Sequence, residues 1–101
     1  MLASDLIEIL KKAGTPVAYS HFKEKVNLPY ITCIAVGRNT FGADNIAYAS
    51  SDRYQIELYT AQKDFDLEER LETILDENEI YYEKSGDIPM EDKRNLIYYQ
   101  I

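Results

Sequence analysis

Apolar residues recur at helical spacing from the start of the chain. Leu2, Leu6, Ile9, Leu10 and Ala13 share one face, while Asp5 and Glu8 suit the positive amino end of a helix dipole. Gly14 and Pro16 end this helix. Residues 17–25 are less regular: Val17-Ala18-Tyr19 suits extended backbone, and Ser20 suits the cap of one short turn. Pro29 pushes Leu28 to extended angles. The run 30–36 that follows is apolar on both faces except for Thr32, the pattern of a central strand covered on both sides. Residues 46–49 read as a short second strand and Ser50-Ser51-Asp52 as a turn. Residues 53–61 alternate. Tyr54, Ile56 and Leu58 take one face and Arg53, Gln55, Glu57 and Tyr59 the other, as in an antiparallel strand with one wet side.

A second helix follows. Asp66-Leu67-Glu68-Glu69 has capping-box spacing, and Leu67, Leu71, Ile74 and Leu75 form an apolar stripe that ends near Asn78. Two tyrosine-rich strands, 80–84 and 96–101, each contain Ile-Tyr-Tyr and so present a tyrosine to both sheet faces. The segment between them, 85–95, exceeds the usual hairpin loop and carries Ile88 and Met90 beside Pro89. The sum is a single α+β domain over residues 1–101: a mostly antiparallel β-sheet with two amphipathic helices packed on one face. Strand order is not legible.

Composition narrows the function. With 101 residues and 46% hydrophobic residues, the chain suits one ordinary globular domain. The net charge of −7 argues against binding nucleic acid, because neutralising phosphates needs a positive surface. Lys11, Lys12, Lys23 and Lys25 make only the first quarter locally basic. The single cysteine, Cys33, forms no internal disulfide, and no leader-like segment or membrane span is visible, so synthesis in a reducing cytoplasm is expected. Nine tyrosines and no tryptophan suit half-buried strands and also interfaces.

No catalytic constellation emerges. His21, the only histidine, would have to activate Cys33, which sits in an apolar strand where a thiol behaves as a small hydrophobe. The acidic run 64–69 superficially matches a calcium loop, but Glu69 stands where glycine is needed and Leu75 where a bidentate glutamate is needed. Gly37 and Gly42 lack a phosphate-loop context. No cofactor, metal or enzymatic activity is expected. The feature left over is the polar stretch 37–45, which reads as a loop with one large apolar side chain at its centre. Arg38, Asn39, Phe41, Asp44 and Asn45 are expected to touch a neighbouring subunit or partner, with Phe41 as the anchor, unless Phe41 folds back on its own sheet. Ile88 and Met90 form a second candidate surface.

The order of features carries a resemblance over nearly the whole chain. A leading helix precedes Leu28-Pro29-Tyr30, then come Ala43-Asp44-Asn45, the strand from Tyr54 to Thr60 and Lys63-Asp64. An acidic helix follows, then Ile88-Pro89-Met90-Glu91 and the terminal Ile97-Tyr98-Tyr99-Gln100-Ile101. This resembles the small tail-completion, or head–tail joining, proteins of long-tailed phages and prophages of Gram-positive bacteria. The resemblance implies a tail-terminator-like α+β fold and a structural role in the virion neck, as a ring of copies that contacts the tail tube or head connector after assembly in the host cytoplasm. A family tail beyond the last strand is not seen, so contacts made by such a tail are not expected. Two other classes stand beside it. One is an adaptor or regulatory domain that adds a partner strand at the 96–101 edge, and the other is a small-molecule enzyme with a pocket between sheet and helices.

Overall fold

The computed structural model describes residues 2–43 and 46–101, and for 38–43 and 46–52 the backbone alone. Helix α1 spans Ala3–Leu10 and tightens into a 3₁₀ turn, Lys11–Ala13. Gly14 ends it at φ 86°, a left-handed position that glycine takes without a Cβ clash, and its N–H donates to the Lys11 carbonyl at 3.1 Å. Strands β1 (Val17–Tyr19), β2 (Tyr30–Ala43), β3 (Ile46–Thr60), β4 (Glu83–Lys84), β5 (Ile88–Pro89) and β6 (Asn95–Gln100) form one sheet, and α2 (Phe65–Glu77) lies between β3 and β4 in the chain. The sheet order is β1-β2-β3-β6-β4, with β5 also on β6. Among the described residues only β1–β2 is parallel, and the other pairings are antiparallel. The α+β class and mostly antiparallel sheet expected from the sequence are what the fold has.

Register explains the core. Ile31, Leu58 and Ile97 stand opposite one another across three strands, and so do Cys33, Ile56 and Tyr99; all six are buried. Leu6, Leu10 and Ala13 from the first helix and Leu67, Leu71, Ile74 and Leu75 from α2 join them in one cluster, so both helices cover this face. Each fully buried aliphatic side chain here contributes about 1.5–3 kcal/mol of transfer free energy. The opposite face carries Thr32, Glu57 and Tyr98 in one row and Tyr30, Tyr59 and Leu96 in another. Among the described residues no helix lies there. The segment 20–29 connects the parallel strands β1 and β2, and Phe22 from it packs edge-on against Tyr30.

Several expectations are corrected. The stretch 37–45 is not a loop: β2 continues to Ala43 and β3 begins at Ile46, so Ser50-Ser51-Asp52 is strand rather than turn. Polar residues extend the ladder because a ribbon that leaves the body needs no buried face, only backbone pairing. Register shifts at Ala35/Gly37 and Phe41/Gly42 mark where the ladder adjusts. Helix α2 starts two residues earlier than the capping-box spacing suggests: the Asp64 carboxylate caps it, accepting from the Leu67 N–H at 3.0 Å. The strand expected at 80–84 shrinks to Glu83–Lys84, because the helix exit consumes what precedes it. There Ile80 N–H donates to the Leu75 carbonyl (2.9 Å) and Glu79 N–H to that of Asp76 (3.0 Å), with Glu79 at φ 56° and Ile80 buried, a Schellman closure. Ser20 caps no helix. It sits at φ 66° and donates its N–H to the Cys33 carbonyl at 2.7 Å. The long segment 85–95 contains β5 and returns through a turn in which Met90 N–H donates to the Arg94 carbonyl at 2.8 Å.

Candidate functional site

The paired continuation of β2 and β3 is an arm. Strand β1 stops opposite Cys33 and β6 stops opposite Gln55, whereas β2 and β3 stay paired from Gly37↔Arg53 to Ala43↔Ile46. Along this stretch no third strand flanks the ribbon among the described residues. Seven residues of strand reach roughly 23 Å, and the molecule is accordingly elongated, 49 × 27 × 24 Å. Arg38, Asn39 and Phe41 lie on this arm, opposite Asp52, Ser51 and Ala49. Their side chains, and Asp44 and Asn45 altogether, lie outside the described residues, as does the side chain of Tyr48.

Ile88 and Met90 are elsewhere. Ile88 pairs with Leu96, which itself stands opposite Tyr59, at the end of β3 away from the arm. Both are half-buried. The two surfaces singled out in the sequence therefore do not meet. The segment that carries Ile88 is tied down by charge: Lys63 reaches Asp87 (2.8 Å) and Glu68 (2.9 Å), while Lys84 reaches Glu68 and Glu72, each at 2.9 Å. Glu68 is only 4% exposed, so a buried carboxylate on α2 is clamped between two lysines. The buried Tyr99 hydroxyl donates to Glu72 at 2.9 Å; burial, then that bond, pushes its pKa well up. Burial pulls the Lys84 ammonium down, but its bonds to Glu72 and Glu68 outweigh this and leave it above its ordinary value.

Two surface features were not legible in the sequence. At the root of the arm, Val36, Tyr54, Tyr81 and Ile101 line a groove of about 270 Å³ with Arg53, Glu83 and Gln100. Val36 is 44% and Tyr81 82% exposed, and Tyr19 (42%) stands across the ribbon, its hydroxyl accepting from the Ala35 N–H at 3.1 Å. On the outer sheet face, segment 20–29 walls an open cleft of about 760 Å³ floored by Tyr30, Thr32 and Tyr59. Tyr30 and Tyr59 stack with centroids 5.0 Å apart. The Arg94 guanidinium lies 4.8 Å from the Tyr59 centroid and donates to the Tyr30 hydroxyl at 2.7 Å. Its Nε sits 2.7 Å from Asp92 but is not aimed at the oxygen, so that contact is charge proximity rather than a directed bond. Glu57 accepts from the Thr32 hydroxyl (3.1 Å) and, at 3.4 Å, from Gln55 and Tyr59. The polar groups of this face are engaged with one another.

The residues weighed for catalysis are held apart. Cys33 is fully buried in the core, and burial pushes its thiol up to about 11, so it carries no thiolate near neutrality. His21 is exposed on the opposite face, at the cleft, with Nδ1 3.2 Å from the Ser20 hydroxyl. Asp64 spends its carboxylate on the helix cap. Among the described residues no group of three or more His, Cys, Asp or Glu is placed to hold a metal ion, and no helix is long and apolar enough to cross a membrane. The edge of β6 considered for partner-strand addition is occupied, with β3 on one side and β4 and β5 on the other. Neither a protein-family model nor a curated protein matches the chain.

Proposed function

We propose that this chain is a structural subunit of a long-tailed phage or prophage neck, one that completes the tail or joins it to the head by assembling as a ring of copies. The observation that carries this reading is the arm. An isolated two-stranded ribbon is marginally stable in water, so a ribbon of this length that runs past the body implies a neighbour against which it is ordered. The order of sequence features that resembles tail-completion proteins supplies the kind of neighbour: another copy, the tail tube or the head connector. A net charge of −7 suits a conduit that must pass DNA without holding it. We read the chain as non-enzymatic, with no cofactor. The 96–101 edge that the adaptor alternative would use is already paired, with β3 on one side and β4 and β5 on the other.

The reading is tested by removing the gene from the phage or prophage that carries it and examining the particles by electron microscopy. Separate full heads and tails are expected, restored by the wild-type chain and poorly by Phe41→Ala or Arg38→Glu, whose circular dichroism should match wild type. Joined, infectious particles in normal numbers from the deletion would overturn the proposal.

A further inference from the structure

Strand β6 lies between β3 and β4. Its pairing ends at Gln55↔Gln100 on one side and Glu83↔Gln100 on the other, and the Ile101 N–H adds a last bond to the Tyr54 carbonyl at 3.0 Å. Past that bond β3 carries on as the arm. The groove of about 270 Å³ at the arm root is therefore an open strand position. Arg53 and Tyr54 of β3 wall one side, Tyr81 and Glu83 the other, and Gln100 and Ile101 close its end.

The alternation of the ladder defines what this position offers. Tyr54 turns its carbonyl toward β6, so Asp52 and Ser50, in the same phase, turn their backbone N–H and C=O groups to the open edge. No described strand meets them there. Val36 and Tyr81, two of the five exposed large hydrophobic residues, stand at the groove. Arg53 is exposed, and among the described residues its guanidinium has no ion-pair partner. It rests across the ribbon at Gly37, where a Cβ would come 2.7 Å from Nη2. Glu83 does not neutralise it: Glu83 faces Gln100, whereas the next residue in the line of β6 after Ile101 would face Arg53.

We propose that this position binds an extended segment of a different protein, added antiparallel to β3 in line with β6. Its acidic side chain stands opposite Arg53, and an aliphatic one follows at the next position. The acid supplies the counter-charge that Arg53 lacks, as a cross-strand pair. The aliphatic side chain falls on the sheet face of Tyr54 and Ile101, because successive side chains alternate. Backbone bonds to Asp52 and Ser50 give affinity, and the two side chains give selectivity. A third strand also stabilises the root of a ribbon that is marginal with two. The site is independent of the neck role: it selects a partner by the chemistry of one segment.

The test titrates isotope-labelled protein with acetyl-Glu-Val-Thr-Val-Thr-amide, or with the same peptide carrying Lys for Glu, and follows the amides by NMR. Peptide is taken to about 5 mM, where even a contact of millimolar Kd is mostly formed. The amides of Asp52, Arg53, Tyr54, Tyr81 and Ile101 should shift, with the glutamate peptide bound about fivefold tighter than the lysine one. Arg53→Glu should invert that preference. Gly37→Ala, which displaces only the end of the Arg53 side chain, should weaken the glutamate peptide about twofold or more. Circular dichroism should match wild type for both variants. Silence of these amides with both peptides, equal affinity for the two, or a preference unchanged in Arg53→Glu would overturn the proposal. So would shifts confined to the Tyr30–Tyr59 cleft. Shifts of the same amides with protein concentration alone would assign the groove to a second copy and refute a foreign segment.

Discussion

Glu68 sets the energetics of the surface that holds the 85–95 segment in place, and replacing it by glutamine is a quantitative probe. Breaking a fully buried ion pair by removing one partner costs about 3–5 kcal/mol, because the surviving charge is stranded. Here the survivors are not stranded: Lys63 and Lys84 are 31% and 33% exposed and keep Asp87 and Glu72 as second carboxylates. Screening and these remaining bonds reduce the expected loss to about 1–2 kcal/mol, roughly 5–15 °C in Tm for a domain of this size. Urea unfolding followed by far-ultraviolet circular dichroism, with an unchanged m-value, gives the number. A cycle with Lys84→Met should return a coupling of about 0.5–1.5 kcal/mol. Glu68→Met, which fills similar volume without charge, should fall within about 1 kcal/mol of wild type. A loss above about 4 kcal/mol for Glu68→Gln would mean that the lysines depend on Glu68 alone. No loss would mean that the clamp is absent in solution.

Other outcomes follow from the same structure. Glu79→Gly should stabilise by about 0.5–1 kcal/mol, because the Schellman exit of α2 holds a side chain at φ 56°, where only glycine avoids strain; a destabilised variant in urea titration contradicts this. Leu71→Ala should cost about 2–5 kcal/mol, given a side chain with no exposure between helix and sheet, and a loss under 1 kcal/mol by the same titration would mean that the site is loosely packed. The Cys33 thiol should react with an aromatic disulfide reagent at pH 8 only as fast as the protein unfolds, since burial pushes it up to about 11; stoichiometric labelling within seconds would place it at the surface. Bonding to Lys63 holds the Asp87 carboxyl below its ordinary value and Lys63 above its own. Their bridge is therefore worth most between the unfolded carboxylate and ammonium values and is lost as pH falls through the depressed Asp87 value. Urea midpoints from pH 6 to 3 should fall less steeply in Asp87→Asn than in wild type, and equal slopes would refute the linkage.

What could be read from the chain was whatever depends on local periodicity. The stripes of α1 and α2, the alternation from Tyr54 to Leu58 and the stop at Gly14 are single-segment patterns, and each recurs in the structure, except that Leu2 stands exposed at the N-cap instead of joining the α1 stripe. Apolar content understates strand length at the arm, where the polar Arg38, Asn39 and Thr40 stand opposite Asp52, Ser51 and Ser50 in the ladder. The spacing of Asp66 and Glu69 points to Asp66 as the cap, but Asp64 takes that place by accepting from the Leu67 N–H. The arm-root groove joins Val36 to Ile101 and the Tyr30–Tyr59–Arg94 cluster spans 64 positions, and no spacing rule in one sequence reaches that far. Arg94 and Tyr81 carried no signal beyond residue type.

The register of the arm has a further consequence. Past Ala35 and Tyr54 neither β2 nor β3 answers to any other strand of the fold among the described residues, so their only obligation is to each other. Removing two residues from each strand shortens the ribbon by roughly 6.6 Å and leaves the body register from Tyr30↔Tyr59 to Ala35↔Tyr54 untouched. Paired additions lengthen it by the same increment. An odd change instead forces a bulge or turns every residue beyond it to the other face. The domain thus carries an adjustable gauge on a fixed frame, and its reach can track the spacing of whatever it bridges without a new core having to be found.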